Sequence, residues 1–325
     1  MVAAVVLAVV IWRLGSGPLL DGVRALDGRA LLAAAAIFLV TTVCFAWRWK
    51  TVADGLGVRL TLAEAVVAYY RCLFLNLTLP GGVAGDVHRG VRHGRDARDL
   101  GHAVRAVVWE RTAGQVVQVL LTIAVLFAMP SPLRSSMPFV ALGLAATAVV
   151  VVLVVRARSG GGDSRWERAR STAVADIRGC LRDKRAGIRG CLRDKRAVAT
   201  VVLASTIAVL GHVLTFVIAA RAVGVTAPVA RLVPLAFLSI MAMTLPNIGG
   251  WGPREGITAW AFSAAGLGAG LGAATAVAYG IMVLAASLPG GIVLLLEWLP
   301  RRRGSRPEAL LGTWHRHRPH AGSTP

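Results

Sequence analysis

Along most of the chain the apolar residues run on without the alternation of a strand or the polar stripe of a soluble helix. Uncharged stretches cover Ala30 to Trp47, Thr112 to Leu133, Ser135 to Val155, Ala197 to Ala220, Leu232 to Pro253 and Gly256 to Leu296. A helix needs ~20 apolar residues to cross ~30 Å of hydrocarbon, so most of these stretches predict membrane spans. Lipid offers the backbone no hydrogen bonds, which leaves helices or a closed barrel. Barrel strands alternate strictly over about 10 residues, and Leu31-Leu32-Ala33-Ala34-Ala35-Ala36 does not alternate. The pattern predicts an all-α, polytopic integral membrane protein with about six to eight transmembrane helices. Two segments are less regular. Met1 to Trp12 is apolar but short, and Leu62 to Leu79 carries Glu64 and Arg71 before it ends at Pro80-Gly81-Gly82.

Composition agrees and adds orientation. Of 325 residues 56% are hydrophobic and only 16% charged, against about 25% charged in soluble domains. Lys and Arg number 36 and Asp and Glu 16, a net charge of +20. The basic residues cluster in Asp86 to Arg105, Arg156 to Arg196 and the tail from Arg301. The positive-inside rule puts all three on the cytoplasmic side of a multi-pass plasma-membrane protein. Arg48, Lys50 and Arg59 leave the N-terminal topology open. This distribution accounts for the net charge without nucleic acid. One transmembrane domain is expected over 1–300, with a basic cytosolic loop at 156–198 and a basic, disordered tail at 301–325. Four cysteines exclude a disulfide scaffold.

The basic loop holds a tandem repeat. Ile177 to Ala186 and Ile188 to Ala197 both read IRGCLRDKRA. Two cysteines without histidine do not make a zinc site, and a local duplication in a solvated loop explains the repeat.

Two motifs stand out from the Ala/Val/Leu background. One runs from Asn76 through Leu-Pro80-Gly81-Gly82 and Gly85-Asp86 to Arg89. The other runs from Leu245-Pro246 through Gly249-Gly250, Gly252 and Arg254 to Glu255. Each closes an apolar stretch with Leu-Pro, then a glycine cluster, then an acid and an arginine. Proline and clustered glycines break helices and leave backbone groups unpaired. At membrane depth this is tolerated where the backbone packs in protein or lines a watery cavity. Paired interruptions in the two halves of a chain point to a transporter binding site and suggest an inverted repeat. The expectation is that the two breaks meet and enclose a polar groove. Arg89 and Arg254 would face a phosphate, glycine N–H groups would complete the cradle, and Asp86 and Glu255 would orient the arginines or meet a cationic headgroup. The competing reading makes both motifs interfacial turns. Glu110-Arg111, just before an uncharged run, either face a cavity or snorkel at the helix end.

Other signals carry no chemistry. Gly266 to Gly272 reads GLGAGLG, but no strand precedes it, and close helix packing explains it better than a dinucleotide site. His315, His317 and His320 lie in the basic tail. There is no Walker loop, GxSxG elbow or HExxH helix, and no cofactor is implied.

Phe74 to Gly90, Trp109 to Gly114 and Leu245 to Gly256, in that order, resemble the lysylphosphatidylglycerol synthase transmembrane-region family. The likeness extends over roughly Ala30 to Pro300. What it implies is lipid handling by a flippase-like membrane domain. In fused members this domain is associated with moving aminoacylated phosphatidylglycerol, made by a separate cytosolic domain, between leaflets. Relatives also occur beside glycosyltransferases that use polyprenyl-phosphate sugars. The resemblance draws attention to Asn76, Pro80, Gly81, Gly82, Gly85, Asp86, Arg89, Arg111, Pro246, Gly249, Gly250, Gly252, Arg254 and Glu255, which Glu110 joins on its position. No aminoacyltransferase domain follows the membrane region in this sequence, so lysyl transfer is not carried over. The expected function is binding or translocation of an anionic lipid: a phospholipid, an aminoacyl-phospholipid or a polyprenyl-phosphate-linked lipid. Membrane lipids are the expected partners. The alternatives are a non-transporting accessory subunit of a membrane glycosyltransferase or lipid-modifying enzyme, and an enzyme using Asp86 or Glu110 as base.

Overall fold

The computed structural model describes residues 17–57, 59–96, 99–129, 194–245, 247 and 250–299, and every regular element among them is a helix. In chain order these are α1 (Gly17–Arg24), α2 (Gly28–Gly55), α3 (Leu62–Thr78), α4 (Ala84–Asp96), α5 (Leu100–Ala128), α6 (Lys195–Ala222), α7 (Val229–Ala242), α8 (Pro253–Ala264) and α9 (Ala269–Trp298). Local chemistry sets the starts. Asp27 accepts from the Ala30 N–H at 2.8 Å, Thr61 and Glu64 form a reciprocal capping box, and Asp99 and Asp194 cap α5 and α6. Each cap is worth ~1 kcal/mol.

Among the described residues α2, α5, α6 and α9 are long and apolar enough to cross a membrane. They form the frame. At one end Val52, Ala53 and Leu56 of α2 cluster with Ala106 and Trp109 of α5 and Val201 of α6. The end of α9 reaches the same face, where its Glu297 pairs with Arg92 of α4 at 2.5 Å. This is the basic end, because the stretches expected to be cytoplasmic all adjoin it. At the opposite end Ala30 of α2, Leu126 of α5 and Ala220 of α6 share the main core with Leu232 and Phe262.

Two shorter helix pairs fill the frame from opposite ends. Helix α3 leaves the basic end, where Ala65 packs on Trp49, and α4 returns there with His93 edge-on to the Trp49 ring. Helix α7 enters from the far end and α8 returns to it, the two linked by Ser239 and Thr258 hydroxyls 2.7 Å apart. The hairpin tips touch: the Gly81 N–H donates to the Asn247 carbonyl at 2.9 Å. Lengths agree with this stacking. At 1.5 Å per residue, α3 and α7 end to end rise about 46 Å, close to the height of α2 at about 42 Å. The two Pro/Gly-broken segments are thus re-entrant hairpins of opposite sense. At the first tip Gly81 and Gly82 take φ of 101° and 66°, a region that side-chain-bearing residues rarely adopt.

Several sequence expectations are revised. Leu232 to Pro253 is not a span, because α7 stops at Ala242 and the chain turns back. Gly256 to Leu296 divides at residues 265–268, where Gly266 and Gly268 have positive φ. GLGAGLG therefore supplies a turn first, and packing only at Gly272, which lies against Thr258 and Phe262 of α8. Helix α5 begins at Leu100, so Glu110-Arg111 sit well inside it and not before it. The arginine-rich Asp86 to Arg105 stretch is largely helical. Met1 to Trp12, Ser135 to Val155, the repeat up to residue 193 and the tail 301–325 lie outside the described residues.

Candidate functional site

Helices α2, α4 and α5 bring five charged side chains together below the hairpin tips, and α3 adds Asn76. Arg48 of α2 donates from Nε to Glu110 Oε1 of α5 at 2.8 Å, and its Nη2 also reaches that oxygen. Its Nη1 donates to Ser205 Oγ of α6 at 2.9 Å. Arg89 of α4 bridges the two acids, donating to Asp86 Oδ1 at 2.9 Å and Glu110 Oε2 at 3.0 Å. Arg111 donates from Nη2 to Asp86 Oδ2. Asn76 secures the α3–α4 corner: its Nδ2 donates to Asp86 Oδ2 at 2.9 Å, and its Oδ1 accepts from the Gly85 N–H at 2.7 Å.

Burial makes the charge balance consequential. Glu110 is fully buried, and Arg89, Arg48 and Asp86 are 2%, 6% and 8% exposed. Three guanidiniums face two carboxylates, which leaves one positive charge in excess. Charges out of water are costly unless paired and hydrogen-bonded, so an uncompensated cation at this depth favours an anionic guest. The rings of Tyr69 and Trp49 hold the Arg89 guanidinium at 4.1 and 4.5 Å, each such contact worth ~1 kcal/mol or more when desolvated.

A cavity of about 170 Å³ opens between this cluster and the two tips. Its charged walls are Arg48 and Arg111, and both broken segments reach it, the first through Asn76 and Gly82 and the second through Asn247 and Gly250. Tyr69, Gln115, Gln118, Ser205, His212 and Thr244 add to the polar lining, with Phe38, Phe45, Leu73, Val209 and Ile240 on the apolar side. Gly114 also lines it. A Cβ there would collide with the Arg48 guanidinium, which would have to shift from its present place. Residues Arg111, Gln115 and Gln118 recur at helical spacing and give α5 one polar face. A wider cavity of about 660 Å³ lies at the basic end, where Arg59, Arg71, Arg89 and Arg92 outnumber Glu64 and Glu297. Glu110 is held between Arg89, which lines this vestibule, and Arg48, which lines the inner cavity.

The sequence-derived candidates divide accordingly. Asn76, Asp86, Arg89, Glu110 and Arg111 share one network, to which Gly85 contributes its N–H. Gly82 and Gly250 line the inner cavity, and Pro80 and Gly81 lie at the first tip. Arg254 and Glu255 pair with each other behind the second tip, at 3.0 Å from Nε to Oε1, and neither lines the cavity. The Arg254 guanidinium lies against Trp251 and Tyr279, and the Gly252 N–H donates to Glu255 at 2.6 Å. Pro246 and Gly249 fall outside the described residues. Of the two arginines expected to face a phosphate, Arg89 lines the wider cavity and Arg254 neither of the two, whereas the arginines lining the inner cavity are Arg48 and Arg111. Of the glycines expected to supply a cradle, Gly81, Gly85, Gly250 and Gly252 use their N–H groups within the protein.

Sequence reasoning gave no site role to Arg48, Ser205, His212 or Asn247. Arg48 follows an uncharged run and, with Lys50 and Arg59, bears in the sequence only on the N-terminal topology. His212 and Ser205 lay unmarked within the Ala197 to Ala220 stretch. Their seven-residue spacing, which sets both on one face of a helix, was the available signal. His212 Nδ1 lies 2.8 Å from the Tyr279 hydroxyl, so its ring is fixed at the cavity wall.

A family model described as the lysylphosphatidylglycerol synthase TM region matches residues 1–291. No curated protein and no solved structure matches the chain.

Proposed function

Starting from a chain that belongs to the lysylphosphatidylglycerol synthase TM-region family, we propose that this multi-pass membrane protein binds an anionic lipid headgroup between its two hairpin tips and carries it across the plasma membrane. The observation behind this reading is the cavity shared by both tips, next to a buried cluster with one positive charge in excess. Arg111, whose side chain is 40% exposed, is the group placed to meet a phosphate, with Arg48 behind it. A phosphate would cancel the excess charge with charge-assisted hydrogen bonds. Acyl or prenyl chains would remain in lipid, so the protein need shield only the polar head. The reading assigns the protein lipid movement and not bond-making chemistry, and the basic end faces the cytoplasm.

Reconstitution into vesicles with a headgroup-labelled anionic phospholipid tests this. The label should exchange between leaflets faster than in protein-free vesicles, and Arg111→Gln should slow it by roughly tenfold or more, the loss of one charge-assisted hydrogen bond. Leaflet exchange at the protein-free rate, with or without an imposed ion gradient, would overturn the transport reading and favour an accessory subunit.

A further inference from the structure

The lining of the inner cavity specifies more than charge. Among the described residues that line it there is no carboxylate, since Asp86 and Glu110 stand behind Arg111 and Arg48. A headgroup carrying an amine would find no acidic partner on that wall, and its positive charge would add to the excess already there. The rest of the polar surface is neutral and rich in amides and hydroxyls: Gln115, Gln118, Asn247, Ser205 and Thr244. Some of these are committed. Ser205 accepts from Arg48, Thr244 donates to the Met241 carbonyl, and Asn247 caps the second tip. The glutamines are less so. Gln118 Nε2 finds Met241 Sδ at 3.8 Å, a weak acceptor. Each amide offers both donors and an acceptor, which matches a hydroxyl that donates and accepts.

Building on the anionic-lipid reading above, we infer that the substrate is a polyol-phosphate lipid. Its phosphate carries a neutral, hydroxyl-rich group such as glycerol or a hexose, and aminoacylated headgroups are selected against. The phosphate meets Arg111, and the hydroxyls meet the amides of Gln115 and Gln118, one and two turns further along α5. The tail can be diacylglycerol or polyprenol, since the cavity reads the head.

Binding of four lipids to the detergent-solubilised full chain, followed by native mass spectrometry, tests this. The probes are phosphatidylglycerol, a short-chain polyprenyl phosphohexose, phosphatidic acid and lysyl-phosphatidylglycerol. The expected result is that one or both polyol-phosphate lipids bind roughly tenfold tighter than phosphatidic acid, one net hydrogen bond's worth, and tighter still than the lysyl lipid. Gln115→Leu with Gln118→Leu brings polyol-lipid binding down towards that of phosphatidic acid, and Gln115→Asn with Gln118→Asn retains part of the preference. Equal binding of phosphatidic acid and both polyol lipids, or tighter binding of the lysyl lipid, would overturn this inference. Equal binding of the anionic lipids would leave the anionic-lipid reading standing. No binding by any of the four would overturn both.

Discussion

Arg48 and Glu110, on α2 and α5, meet through two hydrogen bonds to one carboxylate oxygen at a depth where Glu110 has no exposure. The same carboxylate holds Arg89 through its other oxygen. Glu110 thus joins α2, α4 and α5 and is the least replaceable member of the cluster. Truncating one partner of a buried pair costs about 3–5 kcal/mol, because the remaining charge stays buried and unpaired. Glu110→Ala should therefore lower the thermal unfolding midpoint and the yield of monodisperse protein far more than Lys50→Ala, whose i,i+4 partner Asp54 is solvent-exposed. Fluorescence-detected size exclusion after a temperature series measures both.

Arg48 crosses α5 at Gly114. A methyl group there must displace the guanidinium from Glu110 and Ser205, or push the helices apart. Overpacking of this kind costs about 1–3 kcal/mol. Gly114→Ala should destabilise the protein by that amount, and leaflet exchange should fall with it. In an Arg48→Met background, itself destabilised because Glu110 loses a buried partner, Gly114→Ala should cost little further stability in thermal unfolding, since the group it collides with is gone.

Charge balance makes a separate prediction. Asp86→Asn raises the excess from one positive charge to two, keeps a side chain that can accept from Arg111, and should shift preference towards a doubly charged phosphomonoester such as phosphatidic acid. Arg111→Gln removes the excess and should weaken all anionic lipids together. Binding isotherms should show the phosphatidic acid to phosphatidylglycerol ratio raised by Asp86→Asn and left unchanged, at lower affinity for both, by Arg111→Gln. Parallel changes would mean that the cluster's net charge does not govern the cavity.

Orientation follows from the shared basic end. Arg92 on α4 is exposed there, and Ser263 is exposed at the far end of α8. With native cysteines replaced by serine, a membrane-impermeant maleimide added to intact cells should label Ser263→Cys and spare Arg92→Cys. Inverted vesicles should reverse the result.

Much of this arrangement was legible in the sequence, and what was not shares a physical cause. Leu-Pro-Gly-Gly and the matching run at Leu245 announce helix breaks, because proline and glycine act locally. Their meeting at Gly81 and Asn247 follows from the two segments having similar grammar in opposite halves. The long apolar helices are equally plain, since hydrocarbon thickness dictates their length. The partners of Arg48 are not, because Glu110 and Ser205 are brought to it by packing between helices far apart in sequence. Arg254 illustrates the opposite error. Its motif looks like that of Arg89, but Trp251, Tyr279 and Glu255 enclose it behind the tip, and no local pattern distinguishes an enclosed arginine from one facing a cavity. Leu232 to Pro253 has the length and composition of a span because a re-entrant hairpin is as apolar as a crossing helix.

The most direct test of the account is photo-crosslinking. Phosphatidylglycerol with a diazirine next to its headgroup would be incorporated in vesicles with the full chain, and the labelled peptides mapped by mass spectrometry. Label should fall on the α5 segment around Gln115 and on residues 243–250, compete with unlabelled phosphatidylglycerol, and diminish in Arg111→Gln. Label restricted to outward residues such as Leu120 and Leu295, indifferent to competitor and to Arg111→Gln, would contradict a headgroup site between the tips.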